Sequence, residues 1–261
     1  MEKPTKLSVA MIAHNEAKLI RETLESTRFA DEWIVVDTES DDDTAATARQ
    51  FGATVLTRPN VNNLNINKNI AIDSCTGDWV LYLDADERIS EASKQELLDV
   101  MEHGDCDAYF FPRLNFILGR ATRYGGGYPD WQLRLFKRGK FRFPEKHIHE
   151  RVAGEGKIGK LMNPLIHETY PETILLLRKL QFNAHFEAQY AWQNGLRPSV
   201  GLAWQWLFWK PFSRTVERFL FKLGFLNGFA GVTSCAFDAM NFIVRYLYLV
   251  EWARHPDRAP K

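Results

Sequence analysis

Cysteine is scarce in this 261-residue chain, with only Cys75, Cys106 and Cys235. They lie far apart, are odd in number and never take a CxxC spacing, which argues against both a disulfide framework and a zinc site and fits a reducing compartment. A charge excess of either sign is also missing. Lysine plus arginine and aspartate plus glutamate both number 33, so no global basic field exists to hold a nucleic-acid backbone, and nucleic acid is not expected as a partner. No apolar run reaches the roughly 20 residues of a membrane span. The opening stretch through Lys6 leads directly into an apolar run of about seven residues, too short for a signal-peptide core, and the protein is expected in the cytoplasm. Internal repeats and low-complexity tracts are absent as well.

What is present is alternation. From Leu7 to about Leu83, short apolar runs alternate with helix-like stretches, the pattern of βαβ units around a mostly parallel sheet. Four strands are predicted, at roughly Leu7–Ala13, Trp33–Asp37, Thr54–Leu56 and Trp79–Leu83. Helices are predicted over Glu16–Thr27 and Asp43–Phe51, the second opened by Ser40-Asp41-Asp42-Asp43, with the spacing of a capping box, and closed by Gly52. A helix after Ile89, a strand over Asp107–Leu114 and a loop at Gly125-Gly126-Gly127 follow, the glycines marking unusual backbone angles. Beyond about Thr169 the composition shifts to crowded Trp192, Trp204, Trp206 and Trp209 and then to long helical patterns as far as Arg254. The chain therefore divides into an α/β part, residues 1–170, and a helical, aromatic-rich part, residues 171–261.

Ligands in parallel α/β sheets bind beyond the carboxyl ends of the strands, and each predicted strand here stops at polar residues. The first stops at His14-Asn15-Glu16, the second at Asp37, the third at Arg58 and the fourth at Asp84-Ala85-Asp86. Side chains two apart on an extended segment share a side. On that reading Asp84 and Asp86 converge on one hard cation, or divide the work between a ribose and a cation. Mg²⁺ or Mn²⁺ takes oxygen ligands and is usually shared with substrate phosphates, so a diphosphate-bearing substrate is expected. Asp37 suits hydrogen bonds from the sugar or base of a nucleotide. Arg134 and Arg138 would neutralise diphosphate charge as it develops.

These residues together resemble the family 2 glycosyltransferases of GT-A fold, and more narrowly the bacterial lipopolysaccharide-core glucosyltransferases. The matching stretches are Ser8–Glu16, Ile34–Thr44, Asn69-Ile70-Ala71, Gly77-Asp78-Trp79, Leu83–Glu87, Gly125–Asp130, Arg134–Arg138 and His149-Glu150. The resemblance implies that Asn15, Glu16, Asp37 and Asp84 contact the nucleotide of a UDP-sugar, that Lys68 and Asn69 line the donor site, and that Asp86 holds the metal on the diphosphate. It places Asp130 as the general base of an inverting transfer, with Glu87, next to the acidic pair, as the fallback. His147 and His149 share a side of an extended segment, and His149, in the family's His-Glu position, is a candidate metal ligand or phosphate contact.

The Gln-x-x-Arg-Trp motif of processive relatives is missing at Gln132-Leu133-Arg134, which implies transfer of a single hexose, glucose by the resemblance, to a lipopolysaccharide core or other glycolipid. A polyprenyl-phosphate, protein or polysaccharide acceptor is the alternative within the fold. From another class, a nucleotidyltransferase would bring a glycine-rich phosphate loop that His14-Asn15-Glu16 lacks, and a non-catalytic nucleotide-sugar-binding protein would not need Asp130. In the C-terminal part, aromatic residues mixed with Arg214, Arg218, Lys222, Arg245 and Arg254 suit amphipathic helices at a membrane interface. A peripheral place on the cytoplasmic face of an inner membrane is therefore expected, with packing of the same helices on the catalytic domain or on another subunit as the alternative.

Overall fold

A computed structural model describes residues 5–61, 63–145 and 151–260. Two compact units divide the chain. The first comprises Met1–Leu114 and Pro129–His167, the second Asn115–Tyr128 and Glu168–Lys261.

The first unit is built on strands β1 (Leu7–Ala13), β2 (Glu32–Asp37), β3 (Thr54–Thr57) and β4 (Trp79–Asp84), which lie side by side in the order β3-β2-β1-β4, all parallel. Helices α1 (Ala17–Glu25), α2 (Thr44–Phe51) and α3 (Leu64–Asp73) make the crossovers. After β4 come β5 (Glu87–Ile89), α4 (Glu91–His103) and β6 (Ala108–Ile117). Later strands are β7 (Arg120–Ala121), β8 (Asp130–Lys137), β9 (Phe141–Arg142), β10 (Ala153–Gly154), β11 (Ile158–Lys160) and β12 (Leu165–Tyr170). β8 adds antiparallel to β4, β6 antiparallel to β8, and β12 pairs antiparallel with β5.

Both faces of the central strands are buried, which is why they read as continuous apolar runs rather than alternating ones. On β1 and β4, Val9, Met11, Leu81 and Leu83 pack on one side with Ile20, Leu24 and Leu97 from the helices. Ala10, Val80 and Tyr82 pack on the other with Ile72, Leu133 and Phe136. The four predicted strands and the two predicted helices are therefore present, with ends shifted by one to two residues.

The expected capping box is not. Asp43 sits at the N-cap of α2 without a side-chain bond to the helix. Asp42 caps instead, its Oδ1 accepting from Thr44 N at 3.0 Å and its Oδ2 from Ala17 N at 3.1 Å. Ser40 is drawn across to accept from Asn15 N at 3.0 Å. Gly52 does close α2 in the left-handed region, at φ 104°.

In the second unit, α5 (Thr173–Gln193) and α8 (Phe229–Arg254) pack around Ala188, Trp206, Leu249 and Trp252. Between them run α6 (Val200–Trp204), a π-helical stretch Gln205–Trp209, α7 (Lys210–Thr215), a second π-helical stretch Val216–Phe221, and a 3₁₀ turn Gly224–Asn227. Gly125 and Gly126 take φ of 82° and 77°. Their loop belongs to this unit rather than to the α/β part in which the sequence division puts it. Gly125 N donates to Lys222 O at 2.8 Å, Tyr124 N to Asn227 Oδ1 at 3.1 Å, and Arg218 Nε to Gly125 O at 2.8 Å. Among the described residues, no helix is long and apolar enough to cross a membrane.

Candidate functional site

The polar residues gather where β1, β2 and β4 end, at one edge of the first unit's sheet. At the end of β1, Asn15 adopts φ 57°, a left-handed conformation that asparagine tolerates better than most residues. Its Oδ1 accepts from Asp41 N at 2.8 Å, which ties this loop to the one after β2. The backbone of Glu16 starts α1, its carbonyl accepting from Leu19 N and Ile20 N, while its N–H donates to Thr44 Oγ1. Glu39 is a second non-glycine residue at positive φ, 58°, a sparsely populated conformation that recurs at ligand sites.

Asp37 is 3% exposed, and its Oδ1 is fully buried without a hydrogen-bond partner among the described residues. A buried acceptor left unmet is destabilising by about 1–3 kcal/mol, so this atom is one that a ligand N–H or O–H would satisfy.

The acidic pair departs from the extended geometry that the sequence suggests. Asp84 ends β4, and Ala85 and Asp86 form the turn into β5. The two carboxylates accordingly have different partners. Asp84 Oδ1 accepts from the Tyr82 hydroxyl at 3.0 Å and its Oδ2 from Arg134 at 2.5 Å. Asp86 Oδ2 instead meets His167 Nε2, on β12, at 3.1 Å.

Glu87, fully buried, accepts from Arg134 at 2.7 Å, from Arg113 at 3.3 Å and from Asp84 N at 3.1 Å. Three donors and no exposure make it an internal counter-ion, which corrects its assignment as a fallback base. Asp130, a quarter exposed, receives Arg113 Nε at 3.0 Å and its terminal nitrogen at 2.6 Å, and Gln132 Nε2 at 2.8 Å. An alternating chain of charges results: Asp130, Arg113, Glu87, Arg134, Asp84.

Burial alone would push the Asp84 carboxyl up. The Arg134 guanidinium, with Lys68, the Tyr82 hydroxyl and His167, outweighs it and holds the group well below the usual carboxylate range. Burial likewise pulls the Lys68 ammonium down against the attraction of Asp84. That ammonium lies over the rings of Phe143 and Tyr82, 4.7 and 5.6 Å from their centroids. A carboxyl depressed in the folded state contributes stability that is complete above its ordinary value of about 3.9 and is lost as pH falls through the folded one. Wild type is accordingly expected to exceed Asp84→Asn by a constant margin in denaturant titrations above about pH 5, and by a shrinking one below about pH 4. A margin that widens on acidification would contradict this.

Asn69 is engaged structurally, its side chain exchanging hydrogen bonds with Phe143 O at 2.9 Å and Phe143 N at 3.0 Å. Arg138 is not part of the site. β8 runs antiparallel to β4 and carries Arg138 to the opposite end, where its Nε donates to Gly77 O at 2.8 Å, while Arg134 stays beside Asp84. His147 and His149 lie outside the described residues. His167, Arg113 and Tyr82 carry no sequence signal of their own: β12 beside β5 brings His167 to Asp86, and β6 beside β8 brings Arg113 to Asp130 and Glu87.

The sheet is mixed rather than mostly parallel: the parallel strands β3-β2-β1-β4 end at a carboxylate-lined edge and antiparallel strands extend them, an α/β arrangement of the GT-A class. The chain belongs to glycosyl transferase family 2, whose family model matches residues 8–155. It is 35% identical over 114 residues to an uncharacterized glycosyltransferase of Rickettsia felis, covering 43% of this chain and 40% of that one. The chain thus spans about two fifths of that relative's length. To the lipopolysaccharide core biosynthesis glycosyltransferase LpsC of Rhizobium meliloti it is 26% identical over 160 residues, 59% of each. Among solved structures, it resembles the mannosyltransferase PcManGT of Pyrobaculum calidifontis, in complex with GDP-Man and Mn²⁺ (TM-score 0.52, 15% identity, 97% of this chain and 89% of that). It also resembles S. aureus TarS 1–349 (TM-score 0.50, 14% identity, 97% and 92%). Both likenesses concern the fold.

Proposed function

We propose that the protein transfers a single hexose from a nucleoside-diphosphate sugar, UDP-linked in the leading reading, to a hydroxyl of a glycolipid acceptor, with inversion at the anomeric carbon. The observation that carries the proposal is the meeting of Asp86 and His167 at the carboxyl end of β4, on the same sheet edge as Asp37 of β2, whose buried Oδ1 has no partner among the described residues. A carboxylate oxygen and an imidazole nitrogen form a donor set that suits Mn²⁺ and accommodates Mg²⁺. Among the described residues, no group of three or more such side chains is arranged to hold a metal, and a cation at Asp86 and His167 would take further oxygens from a diphosphate and water. Such a cation supplies positive charge to the departing diphosphate.

The remaining work falls to the chain. Asp37 receives a hydrogen bond from the nucleoside, and Asn15 and Glu16 line the same edge. Lys68 and Arg134 place two further positive charges near the acidic pair. Asp130 takes the proton of the acceptor hydroxyl as its oxygen bonds to the anomeric carbon and the bond to the diphosphate breaks. Arg113 and Gln132 fix that carboxylate's orientation, so little reorganisation is needed when the proton moves. Support for a glycolipid acceptor comes from the similarity to LpsC.

The test is release of UDP or GDP from a panel of UDP-hexoses and GDP-mannose, with Mn²⁺ and then with EDTA. One UDP-hexose is expected to be hydrolysed slowly without acceptor, in a metal-dependent way. Turnover of GDP-mannose alone would overturn the choice of UDP as the nucleotide, and indifference to EDTA would overturn the metal.

A further inference from the structure

From Val200 to Phe221 the second unit runs as successive α and π turns. One side is internal: Trp206 and Pro211 are buried, and Trp206 joins Ala188, Leu249 and Trp252. The other side carries Val200, Trp204, Phe208 and Phe212 at a constant spacing of four, 90%, 64%, 58% and 65% exposed. In a pure α-helix such a series would drift by about 40° per step, since a turn holds 3.6 residues. The π turn Gln205–Trp209, with its wider i→i+5 bonding, opposes that drift across the middle step, where the Trp204 and Phe208 rings stack at 5.5 Å. Exposed Trp209, Phe221, Phe225 and Phe229 continue the apolar surface.

The charge around this surface is predominantly positive. Across residues 200–232 the ionisable side chains are Lys210, Arg214, Arg218 and Lys222 against Glu217 alone, a net +3 in a chain that is neutral as a whole. Arg218 is bound to Asp238 of α8, while Arg214 and Lys222 both reach Glu217. Aromatic side chains on a helix face rimmed by lysine and arginine are the composition of an element lying in a bilayer interface, and an anionic leaflet attracts such a rim. A second copy of the same face would set two net-positive rims against each other, which disfavours self-association here.

We infer that the Val200–Val232 face docks on an anionic lipid bilayer, lying in the headgroup boundary without crossing it. The reading does not depend on the donor site, because lipid binding is measured without nucleotide or sugar.

The experiment floats the full chain with phosphatidylglycerol-containing vesicles and with phosphatidylcholine vesicles. Its variants are the triple substitution Phe208→Ser, Phe212→Ser, Phe221→Ser and a control, Met162→Ser, at an exposed methionine of the first unit. Wild type and the control are expected to float with anionic vesicles, with partitioning about tenfold or more weaker on phosphatidylcholine or in high salt. The triple variant should lose about a hundredfold or more, with its circular dichroism and nucleotide binding retained. Wild type failing to float at low salt would overturn the inference, as would a triple variant that floats equally well. A lipid-independent dimer that the triple substitution dissolves, with no flotation of wild type, would assign the face to a second copy instead.

Discussion

Replacing Arg134 by alanine is expected to lower the unfolding free energy of the first unit by about 3–5 kcal/mol, the usual effect of removing one partner from a buried ion pair. The reason is local. Arg134 is 4% exposed, and one of its nitrogens reaches both Asp84, at 2.5 Å, and Glu87, at 2.7 Å. Without it Glu87 keeps the Asp84 N–H at 3.1 Å but, as a counter-charge, only the longer contact to Arg113 at 3.3 Å, and Asp84 relies on Tyr82 and the more distant Lys68. Lysine should rescue only in part, because one Arg134 terminal nitrogen serves both carboxylates and an ammonium is a strongly hydrated point charge on a differently shaped stem, costlier to bury at that spot. Urea unfolding followed by tryptophan fluorescence reads the change, with Trp33 and Trp79 as probes in this unit. A loss below about 1 kcal/mol would mean that the chain of charges is solvated and does little for stability.

The second large effect concerns chemistry. Asp86→Asn keeps the size of the side chain and a contact to His167, but removes the charge that would hold a divalent cation. Charge stabilisation by a metal is worth several kcal/mol in a transition state, so the transfer rate should fall on the order of a thousandfold with little change in stability. Asp84→Asn should instead lower stability and activity together, since Asp84 is locked to Arg134 and Tyr82. Steady-state rates beside melting curves separate the two. Equal stability losses in both variants would contradict the division of labour between the carboxylates.

Much of the first unit is legible in its sequence because its signals are local. β1, β2 and β4 are buried on both faces and read as apolar runs that stop abruptly at polar residues, so Asp37 and the Asp84-Ala85-Asp86 segment stand out before any fold is known. The geometry of that segment was not legible. An extended strand would aim both carboxylates one way, but the chain turns at Ala85, and the tight β4–β5 connection gives each carboxylate its own partners.

Long-range pairing hides the rest. His167 reaches Asp86 only because β12 returns antiparallel on β5, with His167 opposite Glu87, a contact across 81 residues. Arg134 and Arg138 look equivalent in sequence, yet four residues along an antiparallel strand span about 13 Å, enough to leave one beside the acidic pair and carry the other to the far end. The capping box failed for a related reason: Ser40 has the right spacing, but the loop after β1 competes for its hydroxyl and wins.

The central claim is that the carboxyl edge of β1, β2 and β4 is a nucleoside-diphosphate-sugar site in which Asp86 and His167 hold the metal. Its most direct test is anomalous diffraction at the manganese edge from crystals of the full chain grown with Mn²⁺ and UDP. The account predicts one strong peak within coordination distance of an Asp86 carboxylate oxygen and of His167 Nε2, with the diphosphate on the same ion and the nucleoside hydrogen-bonded to Asp37. A metal bound elsewhere, or UDP seated away from Asp37, would contradict it.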